Sequence, residues 1–182
     1  MNQNKKVILN LIYFGIIIAA AGCFIICKVR YSSFLFAVFV TLLTFFTHIS
    51  IRFTFANLIY VFLAGFVKED NWWFRERPLE KSLYKILGVK KWKSKLPTWQ
   101  DGDFDIKKAD SSVIIYNMNK AEVYHEICML LSFIPILYAI PFGKFWIFFG
   151  TSVGGALFDF LFVMIQRYNR PRMRKLAGMK KA

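Results

Sequence analysis

Apolar residues run almost unbroken from 7 to 27 and from 34 to 66, and return at 127–142 and 145–165. Between 68 and 119 they give way to a charged, tryptophan-rich stretch. A helix needs about 20 apolar residues to cross a bilayer. Residues 7–27, preceded by Lys5 and Lys6, predict an uncleaved first transmembrane helix. Residues 34–66 exceed one simple span, so the pattern predicts either a tilted helix that extends past the membrane or a helix broken near Ser50. Residues 127–142 are short, with Pro135 placed to kink them, and Pro141 and Gly143 supply a turn. Residues 145–165 cross back, and Gly154 and Gly155 allow close approach of a neighbouring helix. Pro171 cannot continue a helix and biases Arg170 away from helical angles, so the helix is expected to end there.

The polar stretch carries its own periodicity. Leu79, Leu83, Ile86 and Leu87 recur at helical spacing with Glu80, Lys81 and Lys85 between them. That pattern predicts an amphipathic helix in the membrane interface. Trp72, Trp73, Trp92 and Trp99 suit the interfacial aromatic belt. The next helix is expected to begin at 120–126, with Glu122 and His125 three apart on one face near its start. The fold class that follows is all-α and integral to the membrane. It has about four transmembrane helices, a cytoplasmic interfacial segment at 68–119 and a basic tail at 167–182, within a single domain 1–182.

Composition supports the membrane class: 57% of residues are hydrophobic and 21 are Phe. Charge adds the topology. The net +14 comes from 25 basic and 11 acidic residues, and the basic segments lie at the N-terminus, in 68–119 and in the tail. The positive-inside rule makes all three cytoplasmic, giving a multi-pass cell-membrane protein with both termini inside. No zinc-ligand spacing or aromatic RNA-binding signature accompanies the charge, so nucleic acid is not an expected partner. Cys23, Cys27 and Cys128 are odd in number and sit in apolar runs, which predicts no disulfide framework.

That topology brings the start of the third apolar segment and the exit of the fourth to one interface. The exit reads Gln166-Arg167-Tyr168-Asn169-Arg170-Pro171-Arg172. Guanidinium forks bind carboxylates and phosphates bidentately. The plain reading is a stop-transfer anchor; the alternative is a substrate site built from Arg167, Asn169, Arg170 and Arg172. Asp159 lies at membrane depth on the face of Gln166, where a carboxylate is a functional candidate by default. His48 and Arg52, four apart in the second apolar run, are secondary candidates, with snorkelling of Arg52 as the plain alternative. Lys90-Lys91-Trp92-Lys93-Ser94-Lys95 forms a basic, aromatic cluster that either meets anionic headgroups or docks an anionic donor through Trp92 and Lys93. Asp101-Gly102-Asp103-Phe104-Asp105 lacks calcium-loop spacing and reads as a solvated turn.

With two histidines in the whole chain, a multi-histidine metal site is excluded, and neither metal nor cofactor is expected. Histidine is the side chain that titrates nearest neutral pH, which makes His125 the candidate general base. Glu122, one turn before it, is expected to orient the imidazole, and the arginines to steady an anionic donor or oxyanion. This set supports direct transfer of an acyl group to a hydroxyl. An alternative without catalysis is a membrane protein that binds anionic lipid or assists a neighbouring enzyme.

Four segments in this order resemble one family: Phe74 to Lys81 (FRERPLEK), Val89 to Pro97 (VKKWKSKLP), Ala121 to His125 (AEVYH) and the QRYNRPR heptapeptide. Together they resemble the glycosyl-4,4'-diaponeurosporenoate acyltransferases over roughly residues 52–174. The resemblance implies a membrane acyltransferase that esterifies a sugar hydroxyl of a glycosylated carotenoid with a fatty acyl chain. It implies membrane lipid surroundings, a glycosylated lipid acceptor, and an acyl donor that is acyl-CoA, an acyl carrier protein or a phospholipid. The chain departs from that pattern at Asp159, where Asn is expected, and in an insertion of Thr98, Trp99 and Gln100. An extra apolar run at the N-terminus is a third departure. Carotenoid glycosides and other glycolipids therefore both remain open as acceptors.

Overall fold

The computed structural model describes residues 3–67, 71–96 and 110–181. Among the described residues the chain is helical without strands, as expected for backbone that must satisfy its own hydrogen bonds in lipid. The helices are α1 (Gln3–Val29), α2 (Ser33–Ser50), α3 (Ala56–Leu63), α4 (Glu80–Ile86), α5 (Val89–Trp92), α6 (Ser111–Leu131), α7 (Ala139–Phe142) and α8 (Phe145–Lys181). Four stretches are long and apolar enough to cross a membrane: Asn10–Val29, Ser33–Leu63, Ser111–Phe142 and Phe145–Gly178. The protein is therefore an all-α membrane protein. The expected solvated turn at 101–105, the insertion at 98–100 and Trp99 lie outside the described residues.

The chain divides into two compact units. The first comprises Met1–Asn57 and Cys128–Leu157. Here Ser32 caps α2, its hydroxyl accepting the Leu35 N–H at 3.4 Å, and the Tyr13 hydroxyl meets Ser50 Oγ at 2.7 Å. The core is Phe39, Val40 and Phe148, with Cys23, Tyr138 and Phe142 packed against it. Thr44 and Ser50 return their hydroxyls to the carbonyls of Val40 and Phe46, at 2.7 and 2.8 Å. Small polar side chains are thereby satisfied within an apolar helix. The expected break near Ser50 is a change of helix type: Ile51–Phe55 is a π-helical turn, and α3 follows without a gap. Pro135 falls at the start of a 3₁₀ turn, Ile134–Tyr138, that interrupts the third apolar stretch where a kink was expected.

The second unit comprises Leu58–Ile127 and Phe158–Ala182. The amphipathic pattern after residue 78 forms α4, and Gly88 then takes left-handed angles (φ 60°, ψ 31°) that reverse the chain into α5. Tyr84, Val89 and Met164 form one core cluster, with Trp92 and Tyr168 packed on it. A second cluster joins Ile114, Ile115 and Met118 of α6 to Met173 of α8.

Two local expectations change. The helix expected to begin at residues 120–126 starts at Ser111, where the Asp110 carboxylate accepts the Ser111 N–H at 2.8 Å. Glu122 and His125 are therefore mid-helix residues. Asn119 and Glu122 are fully buried, and Glu122 is paired with Arg167 and Arg170. Nor does Pro171 end α8, which continues to Lys181 with the proline inside it. A proline in a helix interior costs about 3 kcal/mol through a lost backbone bond and ring crowding. Packing beyond it offsets that loss: Met173 is buried with Ala177 beside it, and Arg170 just before the proline is 2% exposed.

Candidate functional site

The second unit holds most of the chemically loaded residues, and they form a connected set. Glu122 of α6 is completely buried and lies between two arginines of α8. Its Oε1 accepts Arg167 Nε at 2.8 Å, and its Oε2 accepts Arg170 Nη2. Arg167 also donates to Glu80 of α4 through Nη1 and to the Trp73 carbonyl through Nη2, the latter at 2.8 Å. Arg170 lies over the Phe74 ring, with Cζ 5.0 Å from its centroid, and turns Nη1 toward the Phe74 carbonyl at 3.4 Å. Burying these charges is tolerable because they are paired with carboxylates, although the Arg170 Nε has no hydrogen-bond partner among the described residues. Tyr84 extends the network by donating to Glu80 at 2.9 Å. Burial, together with that bond, pushes its phenol above the ordinary range.

Sequence reasoning missed Glu80, Trp73 and Phe74. Glu80 reads as the solvent face of an amphipathic helix, and backbone carbonyls leave no trace in side-chain pattern. The spacing of α4's apolar residues gave no signal that its first carboxylate turns inward.

The carboxylate beside the imidazole is Asp159 rather than Glu122. His125 Nδ1 lies 3.0 Å from Asp159 Oδ1, and the ring stacks on Phe162 at 4.6 Å with planes 10° apart. Asp159 is 1% exposed, whereas the His125 side chain is 22% exposed. A buried acid thus backs an accessible ring. Glu122, on the same helix face, is engaged by Arg167 and Arg170 instead, and the imidazole contacts Asp159. Next to this pair, both carboxylate oxygens of Glu126 accept from Trp73 Nε1, at 3.0 and 3.1 Å.

Lys93, Asn169 and Arg172 gather around Tyr168. Lys93 Nζ donates to Asn169 Oδ1 at 2.7 Å, and Arg172 Nη1 donates to the Tyr168 carbonyl at 2.8 Å. Trp92 Nε1 donates to the Leu87 carbonyl at 2.9 Å and is half-buried against the Tyr84–Val89–Met164 cluster.

His48 and Arg52 belong to the first unit. Arg52 donates to the carbonyls of His48 and Gly155, each at 3.0 Å. The His48 ring sits where a side chain on Gly155 would go: an added Cβ would lie 3.0 Å from its Cε1. This is the close helix approach expected of the glycines, and it falls on Gly155; a Cβ on Gly154 would meet nothing within 4 Å.

Among the described residues, no three His, Cys, Asp or Glu side chains group as a metal ion would require. A family model described as glycosyl-4,4'-diaponeurosporenoate acyltransferase matches residues 70–179, more than half of the chain. The match takes in Glu80, Lys93, Glu122, His125, Asp159 and the arginines of α8, and leaves out His48 and Arg52. No curated protein and no solved structure matches the chain.

Proposed function

We propose a reaction on the premise that the chain belongs to the glycosyl-4,4'-diaponeurosporenoate acyltransferase family and is an acyltransferase. The reaction is esterification of a sugar hydroxyl, on a glycosylated carotenoid or another glycolipid, by a fatty acyl group. The observation that carries the mechanism is the His125–Asp159 pair: an accessible imidazole whose Nδ1 is 3.0 Å from a buried carboxylate.

With the proton on Nδ1, Asp159 accepts a hydrogen bond from it, and the Nε2 lone pair faces away from the carboxylate. Nε2 then removes the proton of the acceptor hydroxyl as its oxygen attacks the acyl carbonyl. The new C–O bond forms, the bond from the acyl carbon to the donor's sulfur or oxygen breaks, and the imidazolium returns the proton to that leaving group. Asp159 stabilises the imidazolium between the two steps, and Phe162 limits rotation of the ring. No covalent acyl-enzyme is needed.

The arginines act differently from a donor clamp. Arg167 and Arg170 already carry carboxylates and carbonyls, so their role in this reading is to fix α6 against α8 within the unit, one turn from His125. The charge pattern supports a cell-membrane location with both termini, and this site, on the cytoplasmic side. An acyl thioester or a phospholipid serves as donor. Lipid mass spectrometry of cells with and without the gene tests the function: a sugar ester that vanishes with the gene supports it. An unchanged ester profile favours a non-catalytic, lipid-binding protein instead.

A further inference from the structure

The carboxylates of the second unit are distributed unevenly. Glu122 and Glu80 neutralise Arg167 and Arg170, Asp159 faces His125, and Glu76 lies 3.7 Å from Lys81. Among the described residues no ion pair reaches Lys93 or Arg172, although the two share one aromatic ring. Lys93 Nζ is 4.8 Å and Arg172 Cζ 3.9 Å from the centroid of Tyr168. The ring is fixed in turn by an edge-on contact with Tyr84 at 5.6 Å. Lys90, Lys91 and Lys95 are exposed on the same short segment as Lys93.

Two cations held against one ring repel each other unless an anion joins them. The contacts that hold them are directional: Lys93 gives one N–H to Asn169, and Arg172 gives one from Nη1 to a carbonyl. Among the described residues, no hydrogen bond takes up the remaining donors of either side chain. Burial lowers the pKa of Lys93, with Tyr168 opposing that shift and Arg172 and Lys90 adding to it.

We infer that Lys93, Arg172 and Tyr168 form a phosphate-binding site that receives the phosphorylated end of the acyl donor. The inference rests on the acyltransferase reading above and moves donor recognition away from Arg167 and Arg170, whose charges are already paired with Glu80 and Glu122. A guanidinium fork and an ammonium gathered on one tyrosine suit a phosphate, which offers several oxygens and more than one charge, better than a single carboxylate. The phosphate can come from a phosphopantetheine thioester or from a phospholipid headgroup.

The test is a binding measurement on the full-length protein in an uncharged detergent, with coenzyme A and phosphatidylglycerol as separate probes. The double variant Lys93→Gln/Arg172→Gln is expected to weaken binding by about tenfold or more, the scale of losing charged hydrogen bonds. Lys81→Gln/Lys85→Gln removes the same charge from exposed positions of α4 and should stay within about twofold of wild type. Arg172→Lys, which keeps the charge and loses the fork, should weaken binding severalfold and serves if the double variant does not fold. An effect on coenzyme A alone identifies a thioester donor; on phosphatidylglycerol alone, a headgroup; on both, a site that reads phosphate in either setting. Equal binding by wild type and double variant, equal weakening in the α4 control, or no binding of either probe by wild type overturns the inference. His125→Ala should bind the probes like wild type. Loss of transfer in that variant with binding retained separates the two claims, as does binding lost in the double variant while wild-type transfer stands.

Discussion

His125 Nδ1 and Asp159 Oδ1 lie 3.0 Å apart on α6 and α8, with the acid buried and the ring partly open to its surroundings. The distance allows a full hydrogen bond, and the difference in exposure gives it a direction. The carboxylate is sheltered from solvent while the opposite edge of the imidazole is left for a substrate. Asp159 is a positioning residue in this account and His125 the catalytic one.

Replacement of Asp159 should therefore be graded. Asp159→Leu removes the acceptor and is expected to lower kcat by about 100-fold or more with little change in KM. Asp159→Asn keeps an acceptor oxygen without the charge and should fall between Leu and wild type, with a shifted pH profile. Steady-state rates across pH check this. A matching loss in Asn and Leu variants with an unshifted profile would make the residue merely structural.

Glu122 should behave as a stability residue. Glu122→Ala leaves Arg167 and Arg170 without their shared carboxylate, and breaking a buried pair costs about 3–5 kcal/mol. The expected result is a lower melting temperature and reduced accumulation in membranes. Arg170→Lys should lower stability in the same direction, because one ammonium cannot reproduce the guanidinium's reach to both Glu122 and the Phe74 carbonyl. Unchanged melting with lost activity in either variant would place that residue in the chemistry instead.

Adjacent glycines in α8 should respond oppositely. A helix interior gains about 1 kcal/mol from Gly→Ala when nothing obstructs the methyl. Gly154→Ala meets open space and should be neutral or stabilising. Gly155→Ala places its methyl 3.0 Å from His48 Cε1 and 3.2 Å from Ser132 Oγ, both within the same unit, and should be the less stable of the two. Thermal unfolding of the purified variants decides the order.

The apolar runs were enough to place all four membrane-length stretches, because hydrocarbon imposes length and composition directly. The charge pattern also grouped Glu122 and His125 with the α8 arginines, although it gave Glu122 to the imidazole rather than to Arg167 and Arg170. Contacts set by tertiary packing were not. His125 reads as the partner of the nearer Glu122 until α8 supplies Asp159 from 34 residues away. Ser111–Lys120 reads as a polar connection because Asn119 is buried by packing that periodicity does not encode. Pro171 stays inside its helix because Met173 and Ala177 pack beyond it, overriding a local rule. The π-helical turn at Ile51–Phe55 has no compositional mark either.

The most direct test is the ester itself. In cells lacking the native gene, wild-type protein should restore a fatty-acylated glycolipid detectable by mass spectrometry. His125→Ala, verified to insert and accumulate to the same level, should leave the glycolipid unacylated. Full ester from the His125→Ala protein would contradict the catalytic assignment outright.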